Sequence, residues 1–391
     1  MKSAAVIAAL LVLGASPNPV RAQIAPSPPH APTVRRAVEI PITLAGTQIL
    51  VDGVRVNGRG PYRFLLDTGA QGAGRADIGL VQALDLPRVG TAGASDGGGG
   101  ARRELAVHRI ETLEFAGLVF HDLDVVSRDY NAGGGGGRGP IDGVLGIDLF
   151  RDGLLTLDYG RGVLRIEPGA LPEADGRAVL ALDPGAPVPT VEIGLGGQTV
   201  WAHIDTGSMG GIAVGQTTAD ALVFAAPPVT AGQARTVSGA FEVRQGRLAG
   251  DMTLGAQTFV RPTISIVPHF RVGNLGGDFL RGQVTTLDLA GHRVRFTPSA
   301  APAAPAAPPP RRYGLMMNPP SGGESELPLR GVAPGSPAEA SGLRAGDVIV
   351  SLNGVPVGAL GDRLPGFMRA TPLVVGFTRD GARREVTLKL D

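Results

Sequence analysis

Phe64-Leu-Leu-Asp67-Thr-Gly69 and Ala202-His-Ile-Asp205-Thr-Gly207 are the two stretches of this 391-residue chain that decide its fold. Each is a short strand-like run that ends at an aspartate before a glycine turn. A second pair, Gly143-Val-Leu-Gly-Ile-Asp148 and Gly273-Asn-Leu-Gly-Gly-Asp278, follows the first pair in the same order. Because two blocks recur in order, with loop insertions between them, the sequence predicts an internal duplication. We therefore expect a mainly β region built twice.

The repeated Asp-Thr-Gly turns are suited to bringing two carboxyl groups into one site. Glycine lets the backbone turn sharply and approach its partner, and the threonine hydroxyl can bond the neighbouring loop. Two carboxyl groups held that close cannot both ionise, so they share one proton. One then activates a water while the other polarises a carbonyl, which is amide hydrolysis without a cofactor. The predicted site consists of the catalytic residues Asp67 and Asp205 and the supporting residues Thr68, Gly69, Thr206 and Gly207.

With these motifs the chain resembles the aspartic peptidases, both the pepsin-like and the retroviral-type groups. In that family two apolar residues and a glycine follow each catalytic motif and pack beside it, and Val144-Leu145-Gly146 and Asn274-Leu275-Gly276 match that element. The resemblance covers roughly residues 38–298. It implies that both aspartates come from one chain, so dimerisation is not required for catalysis. Asn274 departs from the apolar pattern, and Asp67-Thr-Gly-Ala70 follows the retroviral type.

The family also has a flap, a β-hairpin that closes over the substrate. Thr91 to Glu104 and Ala231 to Arg244 are the candidate segments, since both contain glycine. Each is equally well interpreted as a surface loop. A further glycine run, Gly133 to Gly137, is interpreted as a loop.

Other ionisable residues are interpreted as structural. Asp148 and Asp278 are expected to cap short helices, and Asp158 and Asp288 to stabilise hairpin turns. His203 lies on the same strand face as Asp205 and is expected to be a hydrogen-bonded core residue. The histidine spacing suits no metal site, and we expect neither metal nor cofactor.

The C-terminal region resembles the PDZ domains of exported bacterial proteases. Ser336 to Gly354 carries the resemblance, with a helix from about Pro337, a strand after Gly346 and a type I′ turn at Asn353-Gly354. Pro365 lies where the groove-lining helix is expected. The resemblance implies that backbone N–H groups and a strand edge bind the carboxyl end of a peptide. The residues predicted to do so are Tyr313, Gly314, Leu315 and Met316.

The N-terminal residues predict export. Lys2 precedes a short apolar run, Ala4 to Leu13, and Val20-Arg21-Ala22 has the spacing of a signal-peptidase site. The run is too short for a stable membrane span. The expected location is therefore outside the cytoplasm, in the periplasm if the host is bacterial. With no cysteine the chain lacks disulfides and thiol catalysis, and a net charge of +1 gives no reason to expect nucleic-acid binding.

The sequence as a whole predicts a mainly β, duplicated two-lobed aspartic-protease-like fold followed by a small α+β PDZ domain. The expected function is an exported endopeptidase that acts on peptides or proteins, with a PDZ domain that binds C-termini. The alternative is a peptidase-fold scaffold that binds peptides with little activity. A serine protease is disfavoured because Met209 occupies the expected nucleophile position. The predicted segments are a signal peptide (1–22), a Pro-rich leader (23–37), two lobes (38–176 and 177–298), an Ala/Pro linker (299–310) and the PDZ domain (311–391).

Overall fold

The computed structural model describes residues 35–94, 103–131, 139–236, 239–300, 313–317, 325–332, 336–360 and 372–389. The predicted signal peptide, Pro365, the glycine run 133–137 and most of the leader and linker lie outside these residues. The described chain is mainly β, as predicted. None of its described helices has the length and apolar character needed to cross a membrane.

The described residues of the first lobe form eleven strands, of which eight make one sheet. The strands of this lobe are β1 (Val38–Pro41), β2 (Thr43–Ala45), β3 (Gln48–Val56), β4 (Arg59–Asp67), β5 (Gly74–Asp77), β6 (Arg88–Ala94), β7 (Arg103–Phe115), β8 (Leu118–Arg128), β9 (Gly143–Gly146), β10 (Leu154–Asp158) and β11 (Val163–Glu167), with helix α1 (Ile78–Leu84) and a 3-10 helix (Ile147–Phe150). The sheet order is β2-β3-β4-β9-β5-β8-β7-β6. Because β4 and β9 are parallel, Asp67 lies opposite Gly146 at their common end.

The described residues of the second lobe form twelve strands, and nine of them repeat this arrangement in one sheet. The strands of this lobe are β12 (Leu180–Ala181), β13 (Thr190–Leu195), β14 (Gln198–Asp205), β15 (Ile212–Val214), β16 (Val229–Thr236), β17 (Gly239–Arg247), β18 (Met252–Leu254), β19 (Gln257–Phe259), β20 (Thr263–Ile266), β21 (Gly273–Gly276), β22 (Gln283–Asp288) and β23 (Arg293–Pro298), with helices α2 (Gln216–Asp220) and α3 (Gly277–Leu280). The parallel pair β14 and β21 places Asp205 opposite Gly276. The two sequence repeats therefore form the same structure twice.

A third sheet joins the lobes, in the order β1-β11-β10-β22-β23-β12. Its central strands, β10 and β22, come from different lobes and pair antiparallel with Thr156 opposite Thr286. These two threonines are equivalent in the repeats, and their hydroxyls lie 3.0 Å apart. An approximate two-fold axis therefore passes between them. One hydrophobic core, which includes Leu66, Ile204 and Leu287, spans both lobes.

Both candidate flap segments form β-hairpins. Strands β6 and β7 pair up to Ala94 opposite Arg103, and β16 and β17 pair up to Thr236 opposite Gly239. The tips, residues 95–102 and 237–238, lie outside the described residues. Whether either segment covers the site as a flap stays a prediction.

The expected capping roles of Asp148 and Asp278 were wrong. Gly146 and Gly276 are the N-cap residues of the two short helices, and neither helix has a side-chain cap. The strand that precedes each helix runs directly into it, so the last strand residue, in extended conformation, takes the cap position. The aspartates lie in the first turn instead, and each pairs with an arginine three residues later at 2.7 and 3.2 Å.

The aspartates of the two hairpin turns act as predicted. The Asp158 carboxylate accepts from the backbone N–H of Arg161 at 3.0 Å. The Asp288 carboxylate accepts from that of Gly291 at 2.8 Å. Both side chains thus stabilise the turn that follows their strand.

The C-terminal region has a hydrophobic core of its own. Its elements are β24 (Leu315–Met317), β25 (Leu327–Val332), α4 (Pro337–Ala340), β26 (Val348–Leu352), β27 (Val355–Pro356), a 3-10 helix (Val357–Ala359), β28 (Leu373–Arg379) and β29 (Ala382–Leu388). Asn353 and Gly354 both have positive φ, +49° and +76°, which confirms the predicted turn between β26 and β27. The buried Asp347 forms a bidentate ion pair with Arg379 at 2.6 and 2.7 Å.

Candidate active site

Asp67 and Asp205 meet where β4 and β14 end. Their carboxyl groups are hydrogen-bonded to one another, and both residues are partly exposed. The backbone of each motif packs against the aspartate of the other. A Cβ at Gly69 would lie 2.7 Å from the Asp205 carboxyl group, and one at Gly207 would collide with that of Asp67. Only glycine fits at these positions, because any side chain would push the carboxyl groups apart.

Thr68 and Thr206 connect the two lobes through reciprocal hydrogen bonds. The Thr68 hydroxyl donates to the Ile204 carbonyl at 2.6 Å and accepts from the Thr206 backbone N–H at 3.0 Å. The Thr206 hydroxyl donates to the Leu66 carbonyl at 2.8 Å and accepts from the Thr68 N–H at 3.1 Å. Both threonines are fully buried. Each bond crosses between lobes, so the four together fix the separation of the aspartates.

The two aspartates differ in the donors that face them. Asp67 accepts one N–H, from Gly69 at 2.9 Å. Asp205 accepts three: Gly207 N–H at 2.9 Å and Ser208 N–H at 3.1 Å on Oδ1, and the Asn274 side-chain amide at 3.2 Å on Oδ2. Since each donor favours an ionised carboxylate, the site favours negative charge on Asp205.

The pKa shifts follow from this inequality. Burial, and then the charge of Asp205, raise the pKa of Asp67 to about 7. Burial also raises the pKa of Asp205, but the donors of Asn274, Ser208 and Gly207 and a hydrogen bond from Asp67 oppose that rise. The pair therefore shares one proton, which lies on Asp67 while Asp205 is ionised.

Arg75 and His203 flank the pair from opposite lobes. Arg75 Nη1 donates to the carbonyls of Gln71 at 2.7 Å and Gly74 at 2.9 Å, and its positive charge opposes the rise in the pKa of Asp67. His203 Nδ1 lies 2.8 Å from the Thr190 hydroxyl, so it is hydrogen-bonded as predicted. Burial lowers the pKa of His203, whereas the nearby charge of Asp205 acts in the opposite direction.

Sequence reasoning missed Tyr159, which directly follows β10. Its side chain is buried, and its hydroxyl has no hydrogen-bond partner among the described residues. Burial, and then the charge of Asp205, raise the pKa of this hydroxyl. Its repeat counterpart is Leu289, so a polar residue at an apolar repeat position was the available signal.

The contacts made by Thr47 and Gln48 were also missed. Thr47 Oγ1 donates to the Met209 carbonyl at 3.0 Å, and Gln48 Nε2 donates to the Gly207 carbonyl at 2.9 Å. The first lobe thus holds the loop that follows Asp205 in the second. These contacts depend on how the lobes pack, and no local sequence pattern indicates them.

The predicted PDZ ligand residues lie at the start of the C-terminal region. Tyr313 is buried in the core, and its backbone carbonyl accepts from the Ala338 N–H at 2.9 Å. Gly314 has φ +80°, and Leu315 and Met316 begin β24. Within the described strands, β24 pairs with β25 alone, which leaves its other edge open. Their role in binding stays a prediction.

Comparison with known families agrees with this geometry. The family model described as "Aspartyl protease" matches residues 53–149 and 190–279, and each segment contains one Asp-Thr-Gly turn and the parallel strand beside it. The model described as "PDZ domain" matches residues 329–363. The chain thus carries an aspartyl protease domain, matched in two segments, and a C-terminal PDZ domain. No curated protein matches it. Both predicted carboxylates lie within the two segments that match the aspartyl protease model.

Replacing Thr68 by valine should destabilise the protein. The substitution leaves the Ile204 carbonyl and the Thr206 N–H buried without their partner, which costs about 1–3 kcal/mol of unfolding free energy. Thr68→Ser keeps the hydroxyl and is the matched control. Urea unfolding followed by the fluorescence of Trp201, the single tryptophan, measures the difference. Equal stability of the two variants would show that these bonds do not hold the lobes together.

Stability should also fall as pH rises from about 4 to about 7. Unfolded Asp67 loses its proton near pH 4, whereas folded Asp67 keeps it until about pH 7, so the folded state binds the extra proton in this window. Asp67→Asn is neutral throughout and should raise the melting temperature at pH 7 but hardly at pH 4. The exposed Asp152→Asn is the control. An equal increase in melting temperature at pH 4 and pH 7 would contradict the raised pKa of Asp67.

Proposed function

We propose that this chain is an exported aspartic endopeptidase that hydrolyses peptide bonds in peptides or proteins. The observation that supports it is the pair Asp67 and Asp205, held together between two lobes and sharing one proton. Both aspartates are partly exposed residues, so the site is not sealed inside the core. A paired acid and base in one site is the requirement for acid–base hydrolysis of an amide.

The first step adds water to the scissile carbonyl. The Asp205 carboxylate takes a proton from a water molecule as the water oxygen bonds to the carbonyl carbon. The Asp67 hydroxyl gives its proton to the carbonyl oxygen, which would otherwise become an oxyanion. The product is a neutral tetrahedral diol, with Asp205 now protonated and Asp67 ionised.

The second step breaks the carbon–nitrogen bond. Asp205 gives its proton to the amide nitrogen, which leaves as an amine. Asp67 takes a proton from one diol oxygen as the carboxylic acid forms. The pair thereby returns to its starting state, with the proton on Asp67. The threonine hydrogen bonds keep the two carboxyl groups at one separation throughout, so little reorganisation is needed.

The PDZ domain is proposed to bind the C-termini of substrates or partners. The edge of β24 that pairs with no described strand can add a peptide strand, and Gly314, with φ +80°, precedes it, as in recognition of a C-terminal carboxylate. Export is proposed from the N-terminal pattern of Lys2, the apolar run and Val20-Arg21-Ala22. If the host is bacterial, the enzyme works in the periplasm.

Cleavage of an unfolded test protein is the direct test of the peptidase. We expect Asp67→Asn and Asp205→Asn each to lower the cleavage rate at least about 10³-fold, because each removes an acid or base of the reaction. The exposed Asp152→Asn should cleave like the wild type. Wild-type activity should fall as pH rises through about 7, where Asp67 loses its proton.

Two outcomes would overturn the proposal. One is a folded wild type that cleaves nothing between acid and neutral pH. The other is cleavage that survives both aspartate substitutions. Either result would favour a scaffold that keeps the fold and binds peptides without hydrolysing them.

Peptide binding by the PDZ domain should depend on a free C-terminus. In the Asp67→Asn chain, which prevents cleavage, peptides with a free carboxylate should bind at least about tenfold more tightly than amidated ones. Gly314→Val should abolish the difference, since valine rarely adopts φ +80°. Gly381→Val, at φ +75° in the turn between β28 and β29, controls for backbone strain. Fluorescence anisotropy measures the affinities, and equal binding of both peptide forms would contradict this mode.

A further inference from the structure

The two lobes carry different side chains beside the catalytic pair. Val144 on β9 lies opposite Leu65, and Asn274 on β21 lies opposite His203. The positions are equivalent in the repeats, yet one side chain is apolar and the other is an amide. Val144 packs in a small apolar cluster with Leu65, whereas Asn274 donates to Asp205 Oδ2 at 3.2 Å.

The surroundings of Asn274 indicate that packing does not require an amide at this position. The residue is only 5% exposed, and its Oδ1 has no hydrogen-bond partner among the described residues. A buried, unpaired amide oxygen destabilises the folded state. Val144 shows that a valine fits the same place in the other lobe. The one hydrogen bond that the Asn274 side chain makes to a described residue is the bond to Asp205, and this contact therefore explains its presence.

We infer that Asn274 is a positioning residue: its amide keeps Asp205 ionised and so leaves the shared proton on Asp67. The inference rests on the proposed function, in which Asp205 is the base and Asp67 the acid. In a symmetric site the proton would have no preferred aspartate. Here the hydrogen bond from Asn274 stabilises the ionised form of Asp205, so Asp205 is the base before the substrate binds.

The other side chains near the pair do not favour ionisation of Asp205 over Asp67 as Asn274 does. Arg75 faces Asp67 and favours its ionised form, which acts against the inferred order. Burial lowers the pKa of His203, which disfavours a positive charge beside Asp205. Burial also raises the pKa of Tyr130 and of Tyr159, which keeps both hydroxyls protonated. The backbone donors on Asp205 act in the same direction as Asn274, but of the donors to Asp205 only Asn274 can be removed by a side-chain substitution.

The pH dependence of kcat/KM tests the inference in the active enzyme. On the acid side of the profile, kcat/KM falls where the base Asp205 becomes protonated, and this part of the curve is called the acid limb. Asn274→Val should move the pH of the acid limb upward by about one unit. Val144→Ala changes packing in the equivalent place without removing a donor, and its acid limb should stay with the wild type. Adding Val144→Asn to Asn274→Val supplies a donor in the other lobe, and should move the limb back down.

A titration that needs no catalysis separates this inference from the proposed function. Carbon-13 NMR of the aspartate carboxyl groups, assigned with Asp67→Asn and Asp205→Asn, should show Asp205 ionising first and Asp67 near pH 7. Asn274→Val should reduce the difference between the pH values at which Asp205 and Asp67 ionise by about one unit. The fold of each variant is checked by its Trp201 fluorescence.

The outcomes are distinct. Cleavage by the wild type, with neither the pH profile nor the titration changed in Asn274→Val, overturns the role of Asn274 alone. A downward shift of the acid limb also overturns it, since the amide oxygen would then be accepting a proton from Asp205. A chain that cleaves nothing, but whose carboxyl groups titrate in the expected order and respond to Asn274→Val, overturns the peptidase and supports the role of Asn274.

Discussion

The reciprocal hydrogen bonds of Thr68 and Thr206 set the constraint on which the rest of the site depends. Each hydroxyl both accepts from and donates to the backbone of the opposite lobe, in a fully buried environment. Two carboxyl groups repel when both are charged, and a site that brings them together must oppose that repulsion. The threonines oppose it with neutral backbone contacts, which do not change when the aspartates change charge.

A symmetric frame therefore holds an unsymmetric site. The strands that carry the two motifs pair in the same way in both lobes, down to Asp67 opposite Gly146 and Asp205 opposite Gly276. The side chains around them do not match, as Tyr159 and Leu289 illustrate. The backbone fixes where the carboxyl groups are, while side chains that differ between the lobes decide which of them is ionised.

The features that sequence could predict are those that repeat or that have strict backbone requirements. The two Asp-Thr-Gly turns, their parallel partner strands and the turn at Asn353-Gly354 all belong to this class. The misassigned caps show a limit. An aspartate near a helix start predicts a cap, but each strand here runs directly into its helix, so Gly146 and Gly276 occupy the N-cap positions instead of Asp148 and Asp278. Contacts between lobes, such as Gln48 on the Gly207 carbonyl, depend on the packed arrangement and leave no local pattern.

The sheet that joins the lobes has a consequence for how the protein can evolve. Strands β10 and β22 meet across an approximate two-fold axis, with Thr156 opposite its own counterpart, which is the geometry of contact between two identical subunits. In an assembly of identical subunits, any mutation appears on both sides of the axis at once. Once both halves are encoded in tandem, each can be mutated alone. A difference such as that between Val144 and Asn274 is open only to a chain that carries both halves.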